Sequence, residues 1–339
     1  MKYPKLLQKG DTIGICAPST GAPGEVLSLR LDNAIRNIKA LGYNVVETES
    51  VRKTMKCVSA DAEVRAKEFM ELYENPTVSA IMPPWGGEFL MDMLPYLDFD
   101  KLKKLPPKWI CGYSDVTTLS FALTICSDIA TVHGSNLLNM GFSNIHASDL
   151  RAFDVMSNEK TEQKSSESYG GYTSWDDFSK EVYNLDKPSE WKSLNNSDKV
   201  SFHGIMIGGC MDVICKLLGT RFAPVNDFLE KYKNYGFIWT LESCEMAAPD
   251  IYRTLWQMCE CGWFKYCNGI ILGRPDGYRD KRDFTLIDAY EQSIGKLNVP
   301  VIYNADIGHI PPQMQIANGA LGTVIYGCGK AVVTQEYIR

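Results

Sequence analysis

No apolar run in this 339-residue chain approaches the ~18 residues of a membrane span. The stretch MKYPKLLQKGDTIGICAPS at the start also lacks the apolar core that a secretory signal places before its cleavage site. Both absences lead to the expectation of a cytoplasmic protein without a membrane partner. Basic clusters are missing too. Lys and Arg are scattered, and the formal net charge is −6. Phosphate neutralisation of a nucleic-acid polymer is therefore disfavoured. The eleven cysteines contain no CxxC pair, and their odd number suits a reducing compartment better than a disulfide framework. One group, Cys259, Cys261 and Cys267, has a C-x-C-x5-C spacing that matches no common zinc pattern. We read it as helix-end core thiols and expect no metal. Histidine is scarce, with four residues to choose from as a base.

What is present is an ordinary globular composition, 45% apolar and 22% charged. The length favours two domains. Over the first 135 or so residues, strand-like and helix-like segments alternate. DTIGICA, Tyr43–Val46, Ser79–Met82, Lys108–Cys111 and Ala130–His133 read as strands, with Glu25–Leu41, Ala60–Tyr73 and Val116–Cys126 as helices between them. Such alternation implies a parallel sheet covered on both faces, with sites beyond the carboxyl ends of its strands. The stretch 157–198 turns polar and reads as a linker with an excursion. It carries Trp175, Tyr183 and Trp191. From Val200 a second α/β region follows, with FIWTL (237–241) as its most apolar strand. The expected division is thus 1–156, 157–198 and 199–339.

Ser114 stands in GYSDVT, between a buried strand and a helix. A nucleophile placed there is lifted out of the sheet, and the helix N-terminus offers amides to a developing oxyanion. The full G-x-S-x-G pattern is absent, since position 116 is Val, and an ordinary N-cap is the plainer reading of these six residues. Gly86-Gly87 follows another strand, where a glycine pair lets backbone amides approach a ligand. A serine needs a base. His133 and His203 lie at or within strands and His146 in a polar turn. His309 sits in DIGHIPPQ, directly after a strand and braced by Gly308, Pro311 and Pro312. The base in turn needs an acceptor. Glu242, at the end of FIWTL, competes for that role with Glu245 and Asp306, and the residues alone leave the three open.

Taken together, these pieces resemble the LD-carboxypeptidases, a family that includes the microcin C self-immunity peptidases. GDTIGICAPS, WGGEF, GYSDVT, GGCMDVICKLLGT, LESCE and DIGHIPPQ are similar to its motifs in order, across nearly the whole chain. The resemblance implies an α/β protein with a flavodoxin-like N-terminal domain and a smaller C-terminal α/β domain of swivelling β/β/α type. It implies a Ser114–His309–Glu242 triad, with the Asp115 and Gly87 amides as oxyanion hole, no metal and no other cofactor, and a homodimer. Two departures stand out. Trp85 occupies a position where many members carry arginine, and Ala317-Asn318-Gly319 replaces Pro-x-Gly after the histidine. The long polar segment is more like the microcin-immunity branch, in which an aromatic stacks on a nucleobase.

The function expected from this is hydrolysis of an amide bond through an acyl-enzyme. The substrate would be a small peptidyl- or aminoacyl-nucleotide or, alternatively, a murein tetrapeptide from cell-wall recycling. A reading of another class is a ligand-binding homologue that keeps the cleft without turnover.

Overall fold

The computed structural model of the chain describes residues 1–195 and 197–338. Its N-terminal domain is built on β1 (Thr12–Ile15), β2 (Asn44–Glu47), β3 (Val78–Ile81), β4 (Trp109–Gly112) and β5 (Thr131–His133). These strands are parallel, in the order β5-β4-β3-β1-β2. Around them lie α1 (Gly24–Ala40), α2 (Ala62–Glu74), α3 (Phe99–Lys104), α4 (Val116–Ser127) and α5 (Ala147–Ser157). The α1 helix buries Leu31, Ala34 and Ile38, the 3.6-residue stripe visible in its sequence, and Gly42 at φ 98° ends it. By contrast α4 is almost wholly buried, its small Thr and Ser residues included. A helix of that kind needs protein on every side. It finds the N-terminal sheet on one side and the second domain on the other, which places Ser114, just before its first turn, at the domain boundary.

The remaining strands are β6 (Lys160–Lys164), β7 (Ser168–Tyr172), β8 (Tyr183–Pro188), β9 (Lys192–Ser193), β10 (Lys199–Cys210), β11 (Phe237–Glu242), β12 (Cys267–Gly273), β13 (Val301–Ala305), β14 (Ile316–Asn318), β15 (Leu321–Gly327) and β16 (Lys330–Glu336). The larger sheet runs β6-β16-β15-β10-β11-β12-β13-β9. Its centre, β10 to β13, is parallel, and its flanks are antiparallel. Every residue of FIWTLE is buried, as a central parallel strand covered on both faces requires. The helices of this domain are α6 (Met211–Ile214), α7 (Val225–Tyr232), α8 (Ala248–Glu260) and α9 (Leu286–Gln292).

Two features differ from the sequence expectation. The polar stretch 157–198 carries strands: β6 and β9 close the two edges of the larger sheet, and β7 and β8 pair as a separate hairpin. These strands hold few apolar residues, so no period-two pattern marks them. In addition, β14 leaves the second domain and pairs antiparallel with β5 of the first, Ile316 opposite His133. The core is continuous across the boundary. Phe121 of α4 packs 5.6 Å from Trp263 and 6.4 Å from Trp239, ring centre to ring centre. Among the described residues no helix is long and apolar enough to cross a membrane.

Candidate active site

Ser114 follows β4 and precedes α4 at φ 62°, a left-handed conformation that costs a non-glycine residue ~1–2 kcal/mol. The surrounding structure holds it there. Asn136 Oδ1 accepts from the Tyr113 amide at 3.1 Å, and the Asn136 amide group reaches back to the Tyr113 carbonyl at 3.4 Å. The result is a half-buried hydroxyl at a helix N-terminus. Gly86 passes directly over this turn. A Cβ at residue 86 would lie 2.9 Å from both Ser114 Oγ and the Asp115 amide nitrogen. The position is therefore closed to any side chain, and it leaves open the space between hydroxyl and amide. Gly87 has φ +147°, and a Cβ there would meet the Ser19 and Thr20 hydroxyls at 2.4 and 2.3 Å.

The Asp115 side chain has a structural task that the sequence did not disclose. Its carboxylate is buried, yet accepts from Ser19 Oγ at 2.6 Å, the Leu90 amide at 2.9 Å and Thr118 Oγ1 at 3.1 Å. Burial raises its pKa and these donors counter the rise. Asp115 thus ties the β1 loop, the segment after the glycine pair and the start of α4 into one frame.

From the second domain come the acid and the imidazole. Glu242 ends β11, fully buried, and its Oε2 lies 2.9 Å from His309 Nδ1. The contact is shaped by Gly308, at φ +100°, where a Cβ would sit 2.6 Å from Glu242 Oε2. Burial alone would lower the His309 pKa, but the Glu242 carboxylate raises it well above the ordinary histidine value, helped by the Cys244 side chain. Burial would raise Glu242, and the His309 charge pulls it below its usual value instead. The outer edge of the His309 ring meets the Tyr113 ring at 4.8 Å, so the imidazole stands beside the turn that carries Ser114. Between the domains lies a cleft of roughly 820 Å³, whose walls include Gly87, Ser114, Asp115, Cys244 and Arg253.

The competing residues fall elsewhere. Asp306 is buried in an ion pair with Arg274 at 2.6 Å and also accepts from Trp191 Nε1 at 3.0 Å and the Ser166 amide at 2.7 Å. Glu245 is exposed on the cleft wall. His203 is exposed, and His146 Nδ1 accepts from the Ser148 amide at the start of α5. His133 is close to the acid: its Nε2 lies 3.8 Å from Glu242 Oε1, on the side away from His309. Its only sequence signal was a strand end followed by Gly134-Ser135. Of the aromatics in the polar stretch, Trp191 and Tyr183 are buried. Trp175 is 54% exposed and stacks on Tyr172 at 4.7 Å. Tyr172 Oη in turn lies 3.1 Å from Tyr113 Oη, which links the β7–β8 hairpin to the Ser114 turn.

Comparison with known proteins gives this geometry its context. The models of the LD-carboxypeptidase N-terminal and C-terminal domains match residues 13–134 and 203–324. A putative carboxypeptidase of Vibrio cholerae is 28% identical over 96% of this chain and 95% of its own. The microcin C7 self-immunity protein MccF of Escherichia coli is 26% identical over 98% and 95%. Among solved structures, an MccF-like protein from Bacillus anthracis superposes with a TM-score of 0.84 at 23% identity, covering 100% of both chains. With both family domains present, in order and over most of its length, the chain belongs to the LD-carboxypeptidase family of serine peptidases.

Proposed function

We propose that the protein hydrolyses an amide bond through an acyl-enzyme, with Ser114 as nucleophile, His309 as base and Glu242 as the acid that orients it. The observation that carries this reading is the 2.9 Å contact between His309 Nδ1 and Glu242 Oε2, made beside the strained Ser114 turn. With Nδ1 committed to Glu242, Nε2 is the ring atom free to take the Ser114 proton. Ser114 Oγ then bonds to the carbonyl carbon. The amides of Asp115 and Gly87 receive the oxyanion in the space that Gly86 leaves open. His309 returns its proton to the departing nitrogen as the C–N bond breaks. Water, deprotonated by the same imidazole, releases the acyl group and restores Ser114. Glu242 stays ionised throughout and stabilises the imidazolium.

For substrate, the favoured class is a peptidyl- or aminoacyl-nucleotide. MccF has been solved with aspartyl sulfamoyl adenosine bound. On this chain, the loop between β7 and β8 carries Trp175, 54% exposed, with Tyr172 stacked on its ring and the Arg30 guanidinium 5.0 Å from its centre, and this is the aromatic we assign to nucleobase contact. Trp85 gives its indole N–H to the Gly21 carbonyl at 3.0 Å and brings no charge to a substrate carboxylate. The second reading is cleavage of a murein tetrapeptide. It is supported by a murein tetrapeptide carboxypeptidase of Pseudomonas aeruginosa, 21% identical over 88% of this chain. The test incubates wild type and Ser114→Ala with aspartyl sulfamoyl adenosine and, separately, with a murein tetrapeptide ending in D-Ala, with products read by mass spectrometry. We expect release of the nucleoside sulfamate by wild type only. Release of D-Ala alone would move the protein to the murein reading, and cleavage of either by Ser114→Ala at the wild-type rate would refute the triad.

A further inference from the structure

Glu242 is held on one side only. Its Oε2 meets His309, but its Oε1, although buried, has no hydrogen-bond partner among the described residues. A buried carboxylate oxygen left this way has lost its water partners without replacement. The Cys210 thiol beside it, a weak donor, helps to hold the Glu242 pKa down, but its geometric hydrogen bond goes to Asp212 Oδ2, 3.6 Å away. Facing Oε1 is one other unsatisfied polar atom, Nε2 of His133, at 3.8 Å. Both side chains are completely buried. A bridging water would hold the two atoms about 4.6 Å apart, from two bonds of ~2.8 Å at a tetrahedral angle. The gap is too narrow for that, and it exceeds a direct N–H···O bond by less than 1 Å, roughly. The terminal torsion of a carboxylate is soft, so a small adjustment there is the motion that would close it.

The far side of the His133 ring offers a hydroxyl that can give its proton to Nδ1. Its Nδ1 lies 3.2 Å from Thr117 Oγ1. The ring occupies the space a side chain at Gly209 would need, since a Cβ there would be 3.0 Å from Nδ1. Its backbone is fixed by β4 and β14 on either side. With the Thr117 hydroxyl donating to Nδ1, the single proton of a neutral ring sits on Nε2 and points at Glu242. Burial keeps the ring neutral, pulling its pKa down to about 4.

We infer that His133 is a positioning residue for the proposed triad: its Nε2–H closes onto Glu242 Oε1 in the reacting complex and locks the carboxylate in the plane that His309 requires. The catalytic line then runs Thr117, His133, Glu242, His309, Ser114. Both domains contribute, since Thr117, His133 and Ser114 belong to the first and Glu242 and His309 to the second. Catalytic hydrogen bonds are commonly long in an unliganded site and tighten on binding. His133 neither gives nor takes a proton in the reaction; its neutral N–H replaces a solvent partner that the buried carboxylate cannot have.

This inference rests on the triad reading, and the experiment separates the two. The probe is a fluorophosphonate that labels Ser114, with the maximal labelling rate and the half-saturating concentration measured separately. His133→Leu should label about 10- to 100-fold more slowly, the usual loss when the hydrogen-bond partner of a functional ligand is removed, with the half-saturating concentration unchanged. His133→Gln, whose side-chain amide nitrogen reaches the level of Nε2, should recover to within about threefold of wild type, whereas the shorter His133→Asn should not. A Leu variant that labels at the wild-type rate, or a Gln variant as slow as Asn, overturns the inference. Should the Leu variant fail to fold, the Gln-to-Asn contrast decides alone. Glu242→Gln is the control: if it labels like wild type the triad itself is wrong, and if it is slow while the His133 variants are fast only the role of His133 falls.

Discussion

At the scale of single residues, the proposed chemistry depends on two opposed pKa shifts in one buried pair. His309 sits above its ordinary value because Glu242 overcomes the effect of burial, and Glu242 sits below its own for the reciprocal reason. A base works only when unprotonated, so kcat/KM should fall as pH drops through the His309 pKa of the free enzyme. Replacing Glu242 with Gln removes the group that holds that pKa up. The acidic limb should then move to lower pH, while kcat drops on the order of 10³- to 10⁴-fold, as loss of the orienting acid does in other serine triads. A pH–rate profile of Glu242→Gln checks both, and a limb that stays in place would mean that Glu242 does not set the His309 pKa. The sequence brought Ser114, His309 and three acidic candidates into view through their places at strand ends. It could not choose among the acids, because the choice depends on partners far along the chain. Asp306 is taken by Arg274, and Glu245 faces solvent. Nor could it show His133 behind Glu242, since nothing local marks a contact between residues so far apart.

At the scale of elements, the loop that carries His309 is fixed by a buried ion pair three residues earlier. Arg274, just after β12, and Asp306, just after β13, are each about 3% exposed. Trp191, Ser189 and the Ser166 amide fill the remaining positions around the carboxylate. Removing one partner of such a pair leaves a buried charge behind and costs about 3–5 kcal/mol. We expect Arg274→Met to lose stability in that range by urea unfolding and to lose activity with it, because the loop leading to His309 is released. Unchanged stability would show that the carboxylate is satisfied without the arginine. The strands of the parallel centres were legible because apolar runs between helical repeats can be little else. Strands β6 to β9 were not, since their residues are mostly polar and half-exposed, and β6 and β9 find their pairing partners in the last third of the chain.

At the scale of the molecule, the two domains share one core, and the cleft lies on top of it. Phe121 packs against Trp263 and Trp239 beneath the site, and Asp128 at the end of α4 takes Lys231 at 2.7 Å and Tyr232 at 3.0 Å from α7. Such coupling should make thermal unfolding a single transition. Phe121→Ala should lower the stability of the whole by about 3–5 kcal/mol. Calorimetry decides: two separated transitions in the wild type, or a Phe121→Ala protein in which one domain melts early and the other is unaffected, would mean that the domains fold independently.

The return of β14 to the first sheet has a consequence for how the protein is made. Ser114 and its glycine pair leave the ribosome early, on a sheet whose edge at β5 stays uncovered until Ile316–Asn318 has been translated. Glu242 and His309 also arrive late, and β5 carries the His133 that stands behind them. On the proposed triad, the nascent chain therefore holds Ser114 without His309 for most of its synthesis, and hydrolytic competence comes only once the second domain has closed back over the first.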